Sequence, residues 1–146
     1  MTMIPGKPAS LSKMVDARRY TDPNYMRDNF ATLYGDVADG AADGHIINLM
    51  PPEPKGYIYQ LLAFIGWSSL PFIRFLRMPA LVMMGDKDSI VPLANGHILK
   101  VALPNSRLHV VEGGGHLFLV TRARETAEVI QAFLDEPEEI ESRAAA

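Results

Sequence analysis

Two short apolar runs, each closed by a glycine-bearing turn, constrain this chain more than any other feature. Pro79-Ala80-Leu81-Val82-Met83-Met84 leads into Gly85-Asp86-Lys87-Asp88, and Leu108-His109-Val110-Val111 leads into Glu112-Gly113-Gly114-Gly115-His116. The first run shows no polar alternation, as expected of a strand covered on both faces. Strands are therefore expected over Ala80–Met84 and Arg107–Val111, with a helix over Pro92–Leu103 that stops before Pro104. A strand–helix–strand unit of this length predicts a parallel pair with a right-handed crossover. The fold class is α/β. Parallel sheets are built from several strands and buried on both faces, so these residues read as part of a larger domain.

The residues before this unit have a different character. An opening loop is expected over 1–9, where Pro5, Gly6 and Pro8 fall. Ser10 is placed to cap a helix running to about Arg19, and Asp22-Pro23 to open another running to Tyr34. Tyr25, Met26, Phe30 and Leu33 repeat at helical spacing within the second. Residues 35–44 read as a loose segment and His45–Met50 as a short helical turn, followed by the stiff connector Pro51, Pro52 and Pro54. Two apolar helices meeting near Gly66 are expected over 56–76. A closing helix over Thr121–Leu134 would present Ala123, Ala127, Ile130, Phe133 and Leu134 on one face. The division is thus an opening loop 1–9, a helical region 10–76 and an α/β region 77–146.

Composition removes several function classes. A net charge of -3 with scattered Lys and Arg argues against nucleic acid. The absence of cysteine excludes disulfides, thiol catalysis and Cys-based metal sites, and fits a reducing, cytoplasmic compartment. No charged segment followed by an apolar stretch opens the chain, so no secretory leader is expected. Tyr57 to Ile73 carries no charge, but Gln60, Gly66, Ser68, Ser69 and Pro71 interrupt it, so no transmembrane segment is expected.

The two turns carry the candidate chemistry. An acid and a histidine, each just past the C-terminal end of its own parallel strand, sit where open α/β sheets place working groups. His116 is the candidate general base, and three preceding glycines let the chain turn sharply there. Asp88 is the candidate acid that orients it, because it lies further past the strand end; Asp86 competes for that role. The alternative is a turn-forming aspartate and a histidine in a Gly-rich loop without a role. His45, His97 and His109 have no metal-ligand spacing, and no metal is expected. A serine nucleophile needs a Gly-X-Ser-X-Gly elbow between strand and helix, and no such pattern occurs. Gly66-Trp67-Ser68-Ser69-Leu70 comes nearest but lacks the second glycine and a preceding strand, so Ser68 and Ser69 read as structural.

These residues also carry a resemblance. Met78 to Pro92 and Val110 to His116 resemble the last two core strands of α/β-hydrolases, with the acid turn on Gly85 to Asp88 and the histidine turn on His116. Gly6 to Lys13, Tyr20 to Pro23 and Pro51 to Leu62 resemble the lid of intracellular medium-chain-length poly(3-hydroxyalkanoate) depolymerases. The resemblance implies cofactor-free serine-ester hydrolysis of a storage polyester, with Asp88 and His116 as two triad members. It implies that residues 10–76 are the lid and that the chain is the C-terminal half of such an enzyme, with elbow serine and oxyanion hole upstream of Met1. The isolated chain would then be inactive. Tyr57, Leu61, Phe64, Trp67 and Phe72 would be lid residues facing a hydrophobic substrate or a polyester granule surface. Other readings stay open: a lidded hydrolase of small esters or lipids, a polyester synthase with a cysteine nucleophile in its other half, and an inactive fragment or granule-binding module.

Overall fold

The computed structural model describes residues 4–35, 50, 53–63 and 67–136. Helix α1 spans Pro8–Met14, α2 Arg18–Thr21, α3 Pro23–Tyr34, α4 Pro54–Ala63 and α5 Leu70–Ile73. The α/β part follows as β1 Ala80–Gly85, α6 Leu93–Ala102, β2 Ser106–Val111, α7 Phe118–Thr121 and α8 Ala123–Leu134. The expected turn at His45–Met50 falls almost wholly outside the described residues, as do Phe64 and the helix junction near Gly66.

β1 and β2 pair in parallel, in register from Ala80 opposite Ser106 to Gly85 opposite Val111. Both strands therefore end at the same level, and the turns after them emerge side by side. α6 packs against both strands. The pair is a two-stranded sheet among the described residues.

α3 supplies the helical core. Met26, Phe30 and Leu33 share one face, as the i, i+4, i+7 spacing dictates, and cluster with Tyr34 and with Ile90 from the turn after β1. Burying each large apolar side chain is worth about 1.5–3 kcal/mol. Asp22 caps α3, its Oδ1 accepting the Asn24 N–H at 2.9 Å, and Pro23 takes the first helical position.

Three local expectations are corrected. Ser10 does not cap the first helix: α1 starts at Pro8, whose missing N–H costs nothing there, and the buried Ser10 hydroxyl donates instead to Thr32 O. That helix does not run on to Arg19. It stops at Met14, and Asp16 restarts the chain by accepting the Arg18 N–H at 2.9 Å and its guanidinium at 2.7 Å. The Arg18 hydrogen bonds hold the Asp16 carboxyl far below the usual carboxylate range. The closing helix breaks at Arg122, whose ψ of 41° is not helical. Its inward residue is Thr126, bonded to Arg122 O and Ala123 O, whereas Ala123, Ala127 and Leu134 are exposed.

Candidate functional site

The acid turn is built on Asp88. Its Oδ1 accepts the N–H groups of Ile90 and Val91, both at 2.8 Å, which folds the chain back at the end of β1. That fixes the carboxylate and leaves Oδ2 to face the other turn. Oδ2 lies 2.9 Å from His116 Nδ1. An ionised carboxylate only accepts, so Nδ1 carries the proton of this bond and Nε2 is the free ring nitrogen. The Asp88 side chain is 5% exposed and that of His116 33%. Burial pushes the Asp88 carboxyl up. The His116 bond and charge, with the Val91 and Ile90 N–H groups, outweigh this and hold it below its ordinary value. Asp86 does not meet the ring: its Oδ1 accepts the Gly113 N–H at 2.7 Å.

The histidine turn is laced to the acid turn and to α3. Asp86 N donates to Val111 O at 3.3 Å and Lys87 N to Gly114 O at 2.9 Å. Gly113 adopts φ 69°, the left-handed conformation that glycine takes without penalty. Gly115 lies flat against the end of α3, where a Cβ would stand 1.9 Å from Tyr34 O. The next N–H, that of His116, donates to the same carbonyl at 2.6 Å. The Tyr34 ring runs nearly parallel to the imidazole, with centroids 6.2 Å apart and an 18° interplanar angle. Its hydroxyl accepts from Arg19 at 3.1 Å, and burial pushes that phenol up despite the Arg19 charge.

Several of these partners carried no sequence signal. Ser89 donates to Thr32 O and Leu33 O, using carbonyls that the last turn of α3 leaves unpaired. Lys7 N in turn donates to Ser89 O. A serine next to a candidate acid was visible in the sequence; its partner on a distant helix was not.

Among the described side chains, Tyr57, Trp67 and Phe72 make no contact with His116. Tyr57 turns toward the first helices, donating from its hydroxyl to Met14 O at 3.1 Å and meeting the Tyr20 ring edge-on. Trp67 and Phe72 are 65% and 64% exposed. Leu61 lies in α4. The Tyr34 ring at the end of α3 stands beside the imidazole. Described serines 10, 12, 89 and 106 all donate to backbone carbonyls, and Ser68 Oγ accepts the Leu70 N–H.

An open groove of about 500 Å³ runs along Lys7, Thr32, Gly35, Lys87 and Gly113; neither Asp88 nor His116 lines it. Among the described residues no three His, Asp or Glu side chains gather as a metal ion would need. No helix of the described residues is long and apolar enough to cross a membrane.

A family model for the alpha/beta hydrolase fold matches residues 40–123. A poly(3-hydroxyalkanoate) depolymerase of Ectopseudomonas oleovorans is 36% identical over 137 residues, covering 92% of this chain and 48% of that protein. The chain spans about half or less of the length of the curated relatives it matches. A 2-hydroxy-6-oxo-6-phenylhexa-2,4-dienoate hydrolase from Rhodococcus sp. strain RHA1 superposes with a TM-score of 0.67 at 18% identity, over 91% of this chain and 51% of that one. A bromoperoxidase from Bacillus anthracis gives 0.67 at 22%, over 88% and 47%. At these identities the structural likeness is one of fold.

Proposed function

The chain belongs to the α/β-hydrolase fold family, and from that premise we propose that it carries the acid and the histidine of a serine ester hydrolase acting on a hydrophobic polyester, a poly(3-hydroxyalkanoate) depolymerase. The observation that carries the reading is the 2.9 Å contact between Asp88 Oδ2 and His116 Nδ1 at the ends of two parallel strands. Residues 77–146 are the C-terminal part of the hydrolase core and residues 10–76 its lid. The nucleophile and oxyanion hole belong to a segment upstream of these residues.

The chemistry follows from the free ring nitrogen. His116 Nε2 takes the proton of a serine hydroxyl as its oxygen attacks the ester carbonyl. Asp88 holds the proton on Nδ1 and stabilises the imidazolium so formed. The tetrahedral adduct collapses, the ester C–O bond breaks, and the departing alkoxide takes the proton back from Nε2. Water then gives a proton to Nε2 as its oxygen attacks the acyl carbon; the acyl C–Oγ bond breaks, the serine oxygen takes that proton back from Nε2, and a 3-hydroxy acid is released. No cofactor takes part.

The lid residues Tyr57, Leu61, Phe64, Trp67 and Phe72 are proposed to contact the polymer's alkyl side chains or the surface of a polyester granule in the cytoplasm. Exposed apolar side chains such as Trp67 and Phe72 support this, since such patches mark interaction sites. The alternative with the same pair is a lidded hydrolase of small esters.

The test is hydrolysis of a medium-chain polyester suspension by a longer protein that joins these residues to an upstream serine elbow. His116→Ala should lower turnover roughly 10⁴–10⁶-fold, because triad members act as a unit. Retained turnover would refute the role of His116. The 146-residue chain alone should not cleave a soluble chromogenic ester. Cleavage lost on Ser68→Ala would place the nucleophile inside it.

A further inference from the structure

We propose that Asp86 is a positioning residue, whose carboxylate clamps the backbone of Gly113 and so holds the loop that presents His116 to Asp88. The proposal rests on the catalytic reading of the pair, but its geometry stands apart from that reading.

The loop from Gly113 to Gly115 has no side chains of its own. Three successive glycines have the widest backbone freedom of any sequence, and no rotamer can lock them. Two local backbone bonds, Gly114 N–H to Val111 O at 3.0 Å and Phe118 N–H to Gly115 O at 3.3 Å, shape the turn, and the bonds that tie it to the acid turn and to α3 come from other elements. Three such bonds are present: Gly113 N–H to Asp86 Oδ1 at 2.7 Å, Lys87 N–H to Gly114 O at 2.9 Å, and His116 N–H to Tyr34 O at 2.6 Å. The last two join backbone to backbone and use no side-chain acceptor. The first is made by a side chain, so residue identity at 86 decides whether it exists.

The acid side of the pair has no comparable freedom. Asp88 Oδ1 is engaged by the Ile90 and Val91 N–H groups, and the neighbouring Ser89 hydroxyl is tied to α3. Asp88 therefore cannot follow a loop that drifts. Any slack at Gly113 appears as a longer Nδ1···Oδ2 separation and a mis-aimed Nε2. Asp86 suits the task because its short side chain spans the adjacent turns at the level where Gly85 pairs with Val111. Its second oxygen stands 3.6 Å from Lys87 Nζ, which biases the carboxylate toward one orientation. What the clamp needs is an acceptor rather than a charge, so asparagine should replace it and alanine should not.

The experiment compares Asp86→Ala and Asp86→Asn with the unaltered chain by NMR. It follows the His116 Nδ1–H proton, the exchange of the Gly113 amide, and the Val82 amide in β1 as an internal control. In Asp86→Ala the Gly113 amide should exchange about tenfold faster or more, as loss of one hydrogen bond implies. The His116 Nδ1–H signal should move upfield or broaden away, while Val82 exchange stays within about twofold of its original rate. Asp86→Asn should restore both signals. An alanine variant that keeps the Nδ1–H signal in place overturns the proposal, and so does an asparagine variant that loses it. Should Asp86→Ala fail to fold, Asp86→Asn decides alone: a retained signal supports the clamp and a lost one refutes it. None of these readouts uses turnover, so a protein that cleaves no ester would defeat the functional reading and leave the clamp standing.

Discussion

Gly115→Ala is the sharpest test of how α3 meets the histidine turn. An added Cβ would stand 1.9 Å from Tyr34 O and 3.0 Å from Gly35 Cα, where ordinary contacts begin at 3.4 Å. The neighbours are backbone and cannot swing aside like a flexible side chain. The turn and the helix end must separate by more than an ångström, and the His116 N–H bond to the same carbonyl goes with them. Overpacking of this kind costs about 1–3 kcal/mol. A partly buried donor or acceptor left unpaired costs about 1–3 kcal/mol more. The expected destabilisation is thus roughly 2–6 kcal/mol. Gly56→Ala is the matched control. Among the described residues a Cβ there meets only Glu53 Oε2, at 3.8 Å, and replacing a helical glycine is worth up to about 1 kcal/mol in favour of the variant. Urea unfolding at a constant slope reads both. A Gly115→Ala chain within about 0.5 kcal/mol of the original would refute the packing of α3 on the histidine turn.

Two further outcomes follow from the site and its surroundings. The folded-state pKa of Asp88 is lowered, so its contribution to stability is fully present above the unfolded value of about 3.9 and is lost as pH falls through the folded value. The stability gap between the original chain and Asp88→Asn, measured by urea unfolding, should therefore shrink as pH falls below about 4, and a pH-independent gap would contradict it. In the longer ester-cleaving protein, Trp67→Ala and Phe72→Asp should weaken action on polymer more than on a short soluble ester; equal losses would make these residues packing alone.

The features legible in the sequence were the local ones. Apolar runs bounded by glycine turns placed the strands to within a residue, Ala80–Met84 against Ala80–Gly85 and Arg107–Val111 against Ser106–Val111. The Asp22-Pro23 cap was legible for the same reason, since its bond spans two residues. Asp86 and Asp88 were harder to separate, because both sit in one turn and only the direction of each side chain tells which meets the imidazole. The direction is set by Ile90 and Val91, whose N–H groups fix Asp88. Contacts remote in sequence were not legible. Ser10 looked like a cap because serine often is one, yet its hydroxyl is drawn to Thr32 O by the docking of α1 on α3. Tyr34 stood in the sequence only as the end of a helix, although its carbonyl holds the His116 N–H.

The pair and the surface around it are controlled by different residues. Asp88 and His116 are held by bonds among residues 85–116 and by the end of α3, all of them within this chain. Exposed apolar side chains such as Trp67, Phe72, Met78 and Val101 make none of those bonds. Trp67 and Met78 lie in the connections before α5 and β1, Phe72 on α5 and Val101 on α6. Changes at Asp86 or Gly115 should therefore disturb the imidazole and leave the outer surface intact. Changes at Val101 or Trp67 should alter what that surface can meet and leave the Nδ1···Oδ2 contact intact. The acid–histidine geometry can accordingly be measured in this chain before the group that His116 would deprotonate is identified.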